Sequence, residues 1–376
     1  MTRSSQRAFV IFSLLMAFVM GASVILPLLR NTATHNPQTA EEATPAPTAT
    51  PIPIPEDPTT IQFTSTLLHP SGLFTIQQPE GWQPSNLSNN GAEVKLSMTN
   101  TELQTVIEAF VDILPEAPAD VEALSDFLNP GRLNVTWRNY TTWEESTRRI
   151  EGDRVIIDFV ATLGPRQFIA RQISWVENGW VYNVRVVAPE SGTALLRYLI
   201  DQTVASFQPN DVYINTPASW NAYYDAEADH ILRYPETWQL EDSAPGLPAT
   251  ITAPDGTQLR VELIEGSVAS EDDARAFVES LQSNSEVLSV TTSEVDGQMA
   301  YTVSYRTSNL DGEEQSGLVM LIPDGENTHV ANLTTSLPGI DLADETAREQ
   351  HADLWQILST FRPYHSDVSL AAISAS

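Results

Sequence analysis

Cysteine is absent from this chain of 376 residues. Without thiols the protein can form no disulfide, no thiolate zinc site and no cysteine nucleophile, so packing and hydrogen bonds must stabilise it. Positive charge is also scarce, because 19 Lys and Arg residues face 49 Asp and Glu residues, for a net charge of −30. Such a field opposes contact with nucleic acid and with anionic lipid headgroups. We therefore predict that no nucleic acid is a partner.

The short motifs of common catalytic sites are also missing. The sequence contains no Gly-x-Ser-x-Gly, no Gly-x-Gly-x-x-Gly, no phosphate-binding loop and no His-Glu-x-x-His. The closest approach to a metal motif is Asp225-x-Glu227-x-Asp229 followed by Glu236, but His230 stands where a calcium loop needs glycine. We predict a protein that is not an enzyme, with no catalytic residue, no cofactor and no metal site.

One long apolar run lies near the N-terminus. Ala8 to Leu29 are 22 residues without a charge, enough for a helix to cross a hydrocarbon core about 30 Å thick. Arg3 and Arg7 precede the run and Arg30 follows it, so the positive-inside rule places the N-terminus in the cytoplasm.

We predict that residues 1–30 are a single-pass anchor in the cell membrane of a bacterium, with all later residues extracytoplasmic. The alternative is a signal peptide that is cleaved to release a secreted protein, because a charged start before an apolar stretch is also a secretory pattern. Residues 31–60 are rich in Thr, Ala and Pro. Frequent proline forbids helix and favours an extended chain, so this segment is predicted to be a stalk.

The remaining sequence contains one pattern twice. QPEGWQ at residues 78–83 returns as YPETWQ at 234–239, and TVASFQP at 203–209 returns as ILSTFRP at 357–363. The prolines of the two motifs are 130 positions apart in the first copy and 128 in the second. This spacing is typical of a duplicated domain, since solenoid repeats have periods of about 20 to 50 residues.

We predict a first domain at 61–210, a second at 211–365 and a C-terminal tail at 366–376. The two domains differ in charge. Residues 211–376 hold 28 acidic residues against six arginines, whereas residues 61–210 hold 17 acidic and ten basic residues. We expect the second domain to have a solvated acidic surface.

Hydrophobic periodicity predicts the same order of elements in both copies. Strand-like alternation comes first, followed by helical spacing at Pro118 to Asn129 and, in the second copy, from Ser270 onward. Further alternating segments are separated by hairpin dipeptides such as Asn178-Gly179 and Asp296-Gly297. A closing helix then ends at Phe207 in the first copy and spans Leu342 to Phe361 in the second. The pattern predicts an α+β fold, with a mostly antiparallel sheet and an internal and a C-terminal helix in each copy.

A strand that ends in Pro-x-x-Trp, followed by further strands, a helix, a meander and a closing helix, resembles the PsbP-like superfamily. The matching positions are Pro79 and Trp82 in the first copy and Pro235 and Trp238 in the second. The resemblance implies two tandem α/β/α sandwiches, with roles in binding and assembly and no common chemistry. It carries over no functional residue, because these four positions belong to the fold signature.

Six other aromatic residues lie in polar stretches and are candidates for an exposed partner-binding patch. They are Trp137, Tyr140, Trp143, Trp220, Tyr223 and Tyr224. The predicted function is a non-catalytic module that binds an envelope protein or another subunit. The alternative is a binder of a small molecule or lipid in a cleft between sheet and helix. A pocket with convergent polar groups would favour the ligand, and a closed core with exposed aromatics would favour a protein.

Overall fold

The computed structural model describes residues 52–88, 93–241, 243–281, 284–309, 311–364 and 370–372. The predicted anchor at residues 1–30 and the stalk up to residue 51 lie outside the described residues. Ile52–Ser376 form one compact unit. Within the described ranges, no helix is both long enough and apolar enough to cross a bilayer.

The first half of this unit is built around one seven-stranded sheet. Its helices are α1 (Val121–Phe127), α2 (Pro130–Trp137) and α3 (Thr193–Ser206). Its strands are β1 (Phe63–Leu68), β2 (Phe74–Pro79), β3 (Gln83–Asn86), β4 (Glu93–Asn100), β5 (Thr105–Asp112), β6 (Thr142–Glu151), β7 (Arg154–Leu163), β8 (Arg166–Glu177), β9 (Trp180–Pro189) and β10 (Gln208–Pro209). The large sheet has the order β3-β4-β5-β9-β8-β7-β6 with antiparallel neighbours.

The second half repeats this arrangement. Its helices are α4 (Glu271–Leu281), α5 (Glu345–Gln350) and α6 (Ala352–Ser359). Its strands are β11 (Asn221–Asp225), β12 (His230–Tyr234), β13 (Gln239–Leu240), β14 (Ala249–Thr252), β15 (Gln258–Glu265), β16 (Glu286–Val295), β17 (Gln298–Ser308), β18 (Glu314–Asp324), β19 (Asn327–Thr335), β20 (Arg362–Pro363) and β21 (Leu370–Ala372). The large sheet has the order β13-β14-β15-β19-β18-β17-β16. The same strand order in both sheets supports the predicted duplication, and the predicted antiparallel pairing is confirmed.

Two predicted hairpin turns have the backbone that their sequences favour. Asn178 and Gly179 have φ values of 50° and 82°, and Asp296 and Gly297 have the same pair of values. Positive φ at both central residues is the signature of a type I′ turn, which matches the twist of the flanking strands. These dipeptides therefore join β8 to β9 and β16 to β17.

The helices depart from the predicted bounds. The helix predicted over Pro118 to Asn129 is confined to α1, because Asn129 caps a separate helix: its side chain accepts the backbone N–H of Arg132 at 3.2 Å. Helix α2 was not predicted. The closing helix of the second half is interrupted at His351, whose φ of −121° and ψ of 40° are not helical. Strand β6 was also missed, because its mostly exposed side chains show no apolar alternation.

The two faces of the first sheet pack against different helices. Leu195, Leu199 and Ile200 of α3 join one hydrophobic cluster. Leu133 and Trp137 of α2 join another cluster with strands β7 to β9. Trp82 of the Pro-x-x-Trp motif is buried in the first cluster, in agreement with its expected place in the fold.

Backbone and side-chain contacts connect the halves. The backbone N–H of Ala222 in β11 donates to the carbonyl of Pro70 at 2.7 Å. Tyr213, whose hydroxyl donates to the carbonyl of Thr360 at 3.1 Å, packs in the hydrophobic cluster that holds α3 of the first half. Strand β21 lies within the predicted C-terminal tail and pairs in parallel with β1 of the first half. Both the junction and the chain end thus connect the second half to the first.

Candidate functional site

A cavity of about 350 Å³ lies between the first sheet and α2. This volume is within the range of about 300 to 1,000 Å³ that is usual for small-molecule sites. Strands β4, β5, β8 and β9 contribute its sheet side, and the end of α1 and helix α2 contribute the opposite wall.

Three buried polar side chains line the sheet side of the cavity. Asn183, Gln172 and Asp112 are 0%, 2% and 3% exposed. Alternation along β9 explains the position of Asn183, because its neighbours Tyr182 and Val184 face the core under α3. Burying such groups is unfavourable unless they are hydrogen-bonded. The sheet therefore has to supply partners for them.

A hydrogen-bond network satisfies these groups. The Asn183 side-chain amide donates from Nδ2 to Asp112 Oδ2 at 3.1 Å. Its Oδ1 accepts from Ser174 Oγ at 2.7 Å and from Gln172 Nε2 at 3.2 Å. Four side chains on three strands thus hold one another in a single arrangement.

Helix α2 places a cation over this network. Arg132 Nη2 lies 2.6 Å from Asp112 Oδ1, and the guanidinium carbon lies 4.1 Å from the ring centre of Phe127. Because Asn183 occupies Oδ2, both carboxylate oxygens of Asp112 have a partner. The α2 helix therefore contributes the counter-ion that compensates a buried carboxylate.

Glu93 also lines the cavity, and it differs from Asp112 and Arg132, which pair with each other. It is the first residue of β4 and is paired in register with Asp112. No hydrogen bond or ion pair reaches its carboxylate from the part of the chain that the structure describes. Burial raises the pKa of Glu93, Asp112 adds to the rise and Lys95 opposes it. A carboxyl group with a raised pKa in a cleft is a candidate functional group.

A charged triad lies beside the cavity on the same sheet face. Glu108 pairs with Lys95 Nζ at 2.5 Å and with two guanidinium nitrogens of Arg185. Burial alone would raise the pKa of Glu108, but Arg185 and Lys95 hold it below its ordinary value. Lys95 is the single lysine of the sequence, and its ion pair is with Glu108.

Three of the six predicted partner-binding aromatics are buried, so the expectation of exposure is wrong for them. Trp137 is 1% exposed because it lies on the inner side of α2, with its ring centre 4.8 Å from that of Phe159. Trp220 and Tyr223 are 7% exposed and belong to the core of the second half. The side chains of these three residues pack in the hydrophobic cores.

The other three candidates are half-buried. Trp143 donates from Nε1 to Asn134 Oδ1 at 3.0 Å, Tyr140 packs edge-on against Trp137, and Tyr224 packs edge-on against Tyr364. Their role in binding a partner stays a prediction.

The acidic segment that resembles a calcium loop is a β-hairpin. Asp225 ends β11, and its Oδ1 accepts the backbone N–H groups of Glu227 at 2.9 Å and Ala228 at 3.0 Å. Among the described residues, no group of three or more His, Cys, Asp or Glu side chains is placed to hold a metal ion. Asp225 therefore closes a turn.

The second half has different polar residues at the matching strands. On β19, which has the place of β9, Asn332 Oδ1 accepts the hydroxyl of Tyr305 at 2.9 Å. Arg260 of β15 is 53% exposed and pairs with Glu262 of the same strand at 2.9 Å. The two copies thus share a sheet and differ in the chemistry of this face.

Sequence reasoning missed Glu93, Asp112, Arg132, Gln172 and Asn183. One signal was present: β9 is buried at all ten positions, yet its apolar sequence is interrupted by Asn183 and Arg185. Polar residues in such a strand indicate either a buried network or a site.

No protein-family model matches this chain, and no curated protein matches it. Among solved structures, the chain is similar to cyanobacterial PsbP (CyanoP) from Synechocystis sp. PCC 6803, with 20% identity, 39% of this chain and 93% of that chain covered, and a TM-score of 0.30. It is also similar to the T6SS immunity protein TplEi from Pseudomonas aeruginosa, with 13% identity, 80% and 99% coverage and a TM-score of 0.24.

Proposed function

We propose that the chain is a non-catalytic binding module whose first half takes a small ligand in the cavity beside α2. The observation that carries this proposal is the convergence of Asp112, Gln172 and Asn183 on a cavity of about 350 Å³. Phe110, Leu128 and Leu133 form apolar walls. Apolar walls with a few fixed polar groups are the usual composition of a small-molecule site.

The cavity has groups that bind and orient, and we infer no reaction there. Among the described residues that line it, there is no histidine, cysteine or serine. Of its two carboxyl groups, Glu93 and Asp112, the second is held by Arg132 and Asn183. These features favour the small-ligand alternative over an exposed aromatic patch, since Trp137, Trp220 and Tyr223 are buried.

We also propose an architecture and a cellular location for the protein. We infer two PsbP-like α/β/α sandwiches, at residues 61–210 and 211–365, that residues 1–30 and 31–60 hold outside the cell membrane. The uncharged run of 22 residues and the proline-rich stalk support this arrangement. Secretion after signal cleavage is the alternative. Membrane fractionation with protease treatment of intact cells distinguishes them, because an anchored chain stays with the membrane and is cut from outside.

The ligand proposal is tested with purified full-length protein. A library of acidic, basic and neutral compounds of suitable size is screened by thermal shift and native mass spectrometry, with Val135→Trp as the blocking variant. Val135 lines the cavity and is 65% exposed, so a larger side chain can be accommodated without disturbing the core. Val212→Trp is the matched control, since Val212 is 46% exposed and does not line the cavity.

We expect at least one compound class to bind the wild type and Val212→Trp, with at least tenfold weaker binding to Val135→Trp. If no compound class binds the wild type more tightly than it binds Val135→Trp, the small-ligand proposal is wrong. A pull-down from solubilised membranes would then test the other reading, an envelope protein as partner.

A further inference from the structure

We infer that the cavity selects a ligand with a primary ammonium group on an apolar body, and that Glu93 is the counter-ion of that ammonium. This inference rests on the proposed small-ligand function and names the class of ligand.

One negative group at the cavity has no direct partner among the described residues. Of the described residues that line the cavity, Glu93, Asp112 and Arg132 are ionisable. Arg132 is paired with Asp112 at 2.6 Å. Glu93 has no ion pair or hydrogen bond from the described residues, and a desolvated carboxylate without a partner is costly. A ligand that carries a positive charge would supply the missing partner.

Neighbouring cations of the protein attract Glu93 through space, and Lys95 and Arg185 both oppose the rise in its pKa. Their direct contacts are with another residue. Lys95 is two residues along the same strand, and its Nζ lies 2.5 Å from Glu108 Oε1. Arg185 donates to the other oxygen of Glu108 from two nitrogens. Both cations therefore make their ion pairs within the triad.

The strand register places the two cavity carboxylates side by side. Glu93 and Asp112 are directly paired across β4 and β5, and such pairs have Cβ atoms about 4.5–5.5 Å apart on one face of the sheet. Like charges in this position repel each other. Asp112 raises the pKa of Glu93 in agreement with this proximity.

An ammonium group fits between these carboxylates. It has three N–H donors, and a carboxylate has about four lone-pair sites, so Asp112 can accept a further bond beside those from Arg132 and Asn183. One N–H can therefore bond Glu93 and a second can bond Asp112. The apolar walls formed by Phe110, Leu128 and Leu133 would enclose the rest of the ligand.

Other ligand classes fit less well. Calcium takes six to eight oxygen ligands, whereas the cavity offers two carboxylates, one of them bonded to an arginine. An anionic ligand would gain Arg132 but would face Glu93 and Asp112. A primary amine satisfies both carboxylates and leaves the Arg132 pair intact.

The test uses three probes of nearly equal size and shape: hexylamine, 1-hexanol and hexanoate. Binding to the full-length protein is measured by titration calorimetry at pH 7 for the wild type, Glu93→Gln and Glu80→Gln. Glu80 is exposed and lies outside the cavity, so its variant removes the same charge elsewhere. Because no described residue pairs with Glu93, Glu93→Gln should unfold at a temperature equal to or above that of the wild type.

We expect hexylamine to bind the wild type at least tenfold more tightly than hexanol or hexanoate. Glu93→Gln should weaken hexylamine binding at least tenfold, and Glu80→Gln should leave it unchanged. If hexanol or hexanoate binds as tightly as hexylamine, and Val135→Trp abolishes that binding, the inference is overturned while the small-ligand function stands. If none of the probes binds, the ammonium inference fails, and the library screen decides the broader function separately.

Discussion

The ring of Tyr305 lies directly over Gly317, its cross-strand partner in the second sheet. A Cβ atom at residue 317 would be 2.0 Å from the Cζ atom of Tyr305. The Tyr305 hydroxyl donates to Asn332 Oδ1 at 2.9 Å, which fixes the far end of the ring. An aromatic side chain thus covers the surface that a glycine leaves open in the sheet.

Gly317→Ala is expected to destabilise the protein by about 1–3 kcal/mol, because the ring must move in a packed environment. Urea unfolding measures this change. The same substitution in a Tyr305→Ala background should cost close to nothing, since the clash is gone. Equal costs in the two backgrounds would contradict the assigned contact.

Arg233 is fully buried at the junction of the halves. Its Nη2 donates to the carbonyls of Pro217 at 2.7 Å and Trp220 at 3.0 Å, and Nη1 donates to Thr216 Oγ1. Burial lowers the pKa of Arg233 to about 9, so the side chain is still charged at pH 7. It therefore binds backbone carbonyls as a cation.

Replacing Arg233 with Met should cost about 3 kcal/mol of unfolding free energy, because it leaves buried carbonyls without donors. Denaturant unfolding followed by intrinsic fluorescence checks this value. Arg306→Met is the control, since Arg306 is 45% exposed and pairs with Glu286 at the surface; its loss should cost far less than the loss of Arg233. Equal effects of the two variants would show that Arg233 has no special role.

Two buried histidines predict a loss of stability in mild acid. Burial lowers the pKa of His69 to about 3 and that of His230 to about 4. Neither ring nitrogen of His230 has a hydrogen-bond partner in the described structure. Because the unfolded chain binds protons more readily, stability should fall once the pH drops below about 6.5, by about 1.4 kcal/mol per pH unit for each histidine.

His230→Phe isolates one of these contributions. Its unfolding free energy should be at least that of the wild type at pH 7, and should fall less steeply between pH 6.5 and 4.5. The raised pKa of Glu93 increases stability as the pH falls, but it does so equally in the wild type and in His230→Phe. Unfolding curves at several pH values provide the comparison, and parallel curves would exclude the buried neutral histidine.

Glu108→Gln should destabilise the first half by about 3–5 kcal/mol, because Lys95 and Arg185 would lose the carboxylate that both contact directly. Thermal and urea unfolding measure the effect. Glu286→Gln removes the carboxylate of an exposed pair instead, and should cost about 0–1 kcal/mol. A small effect of Glu108→Gln would mean that the triad is hydrated.

Local features of the sequence predicted much of the fold. The repeated Pro-x-x-Trp motif comes immediately before β3 and β13, the first strands of two seven-stranded sheets with the same strand order, and Asn178-Gly179 forms the turn that its residue types favour. These features depend on residues adjacent in the chain. By contrast, β6 is a polar edge strand and shows no alternation, and α2 begins at Pro130, immediately after the predicted end of another helix at Asn129.

The sequence alone determined that the chain has no thiol chemistry, carries a large negative charge, and contains one long apolar run and a duplicated sheet unit. Only the tertiary structure decided which polar residues meet. Asp112 and Asn183 are 71 positions apart and become hydrogen-bond partners because β5 lies beside β9. Glu93 faces Asp112 for the same reason. Such contacts depend on how strands that are distant in sequence pair. The hydrophobic periodicity of one strand does not specify its register with the neighbouring strand.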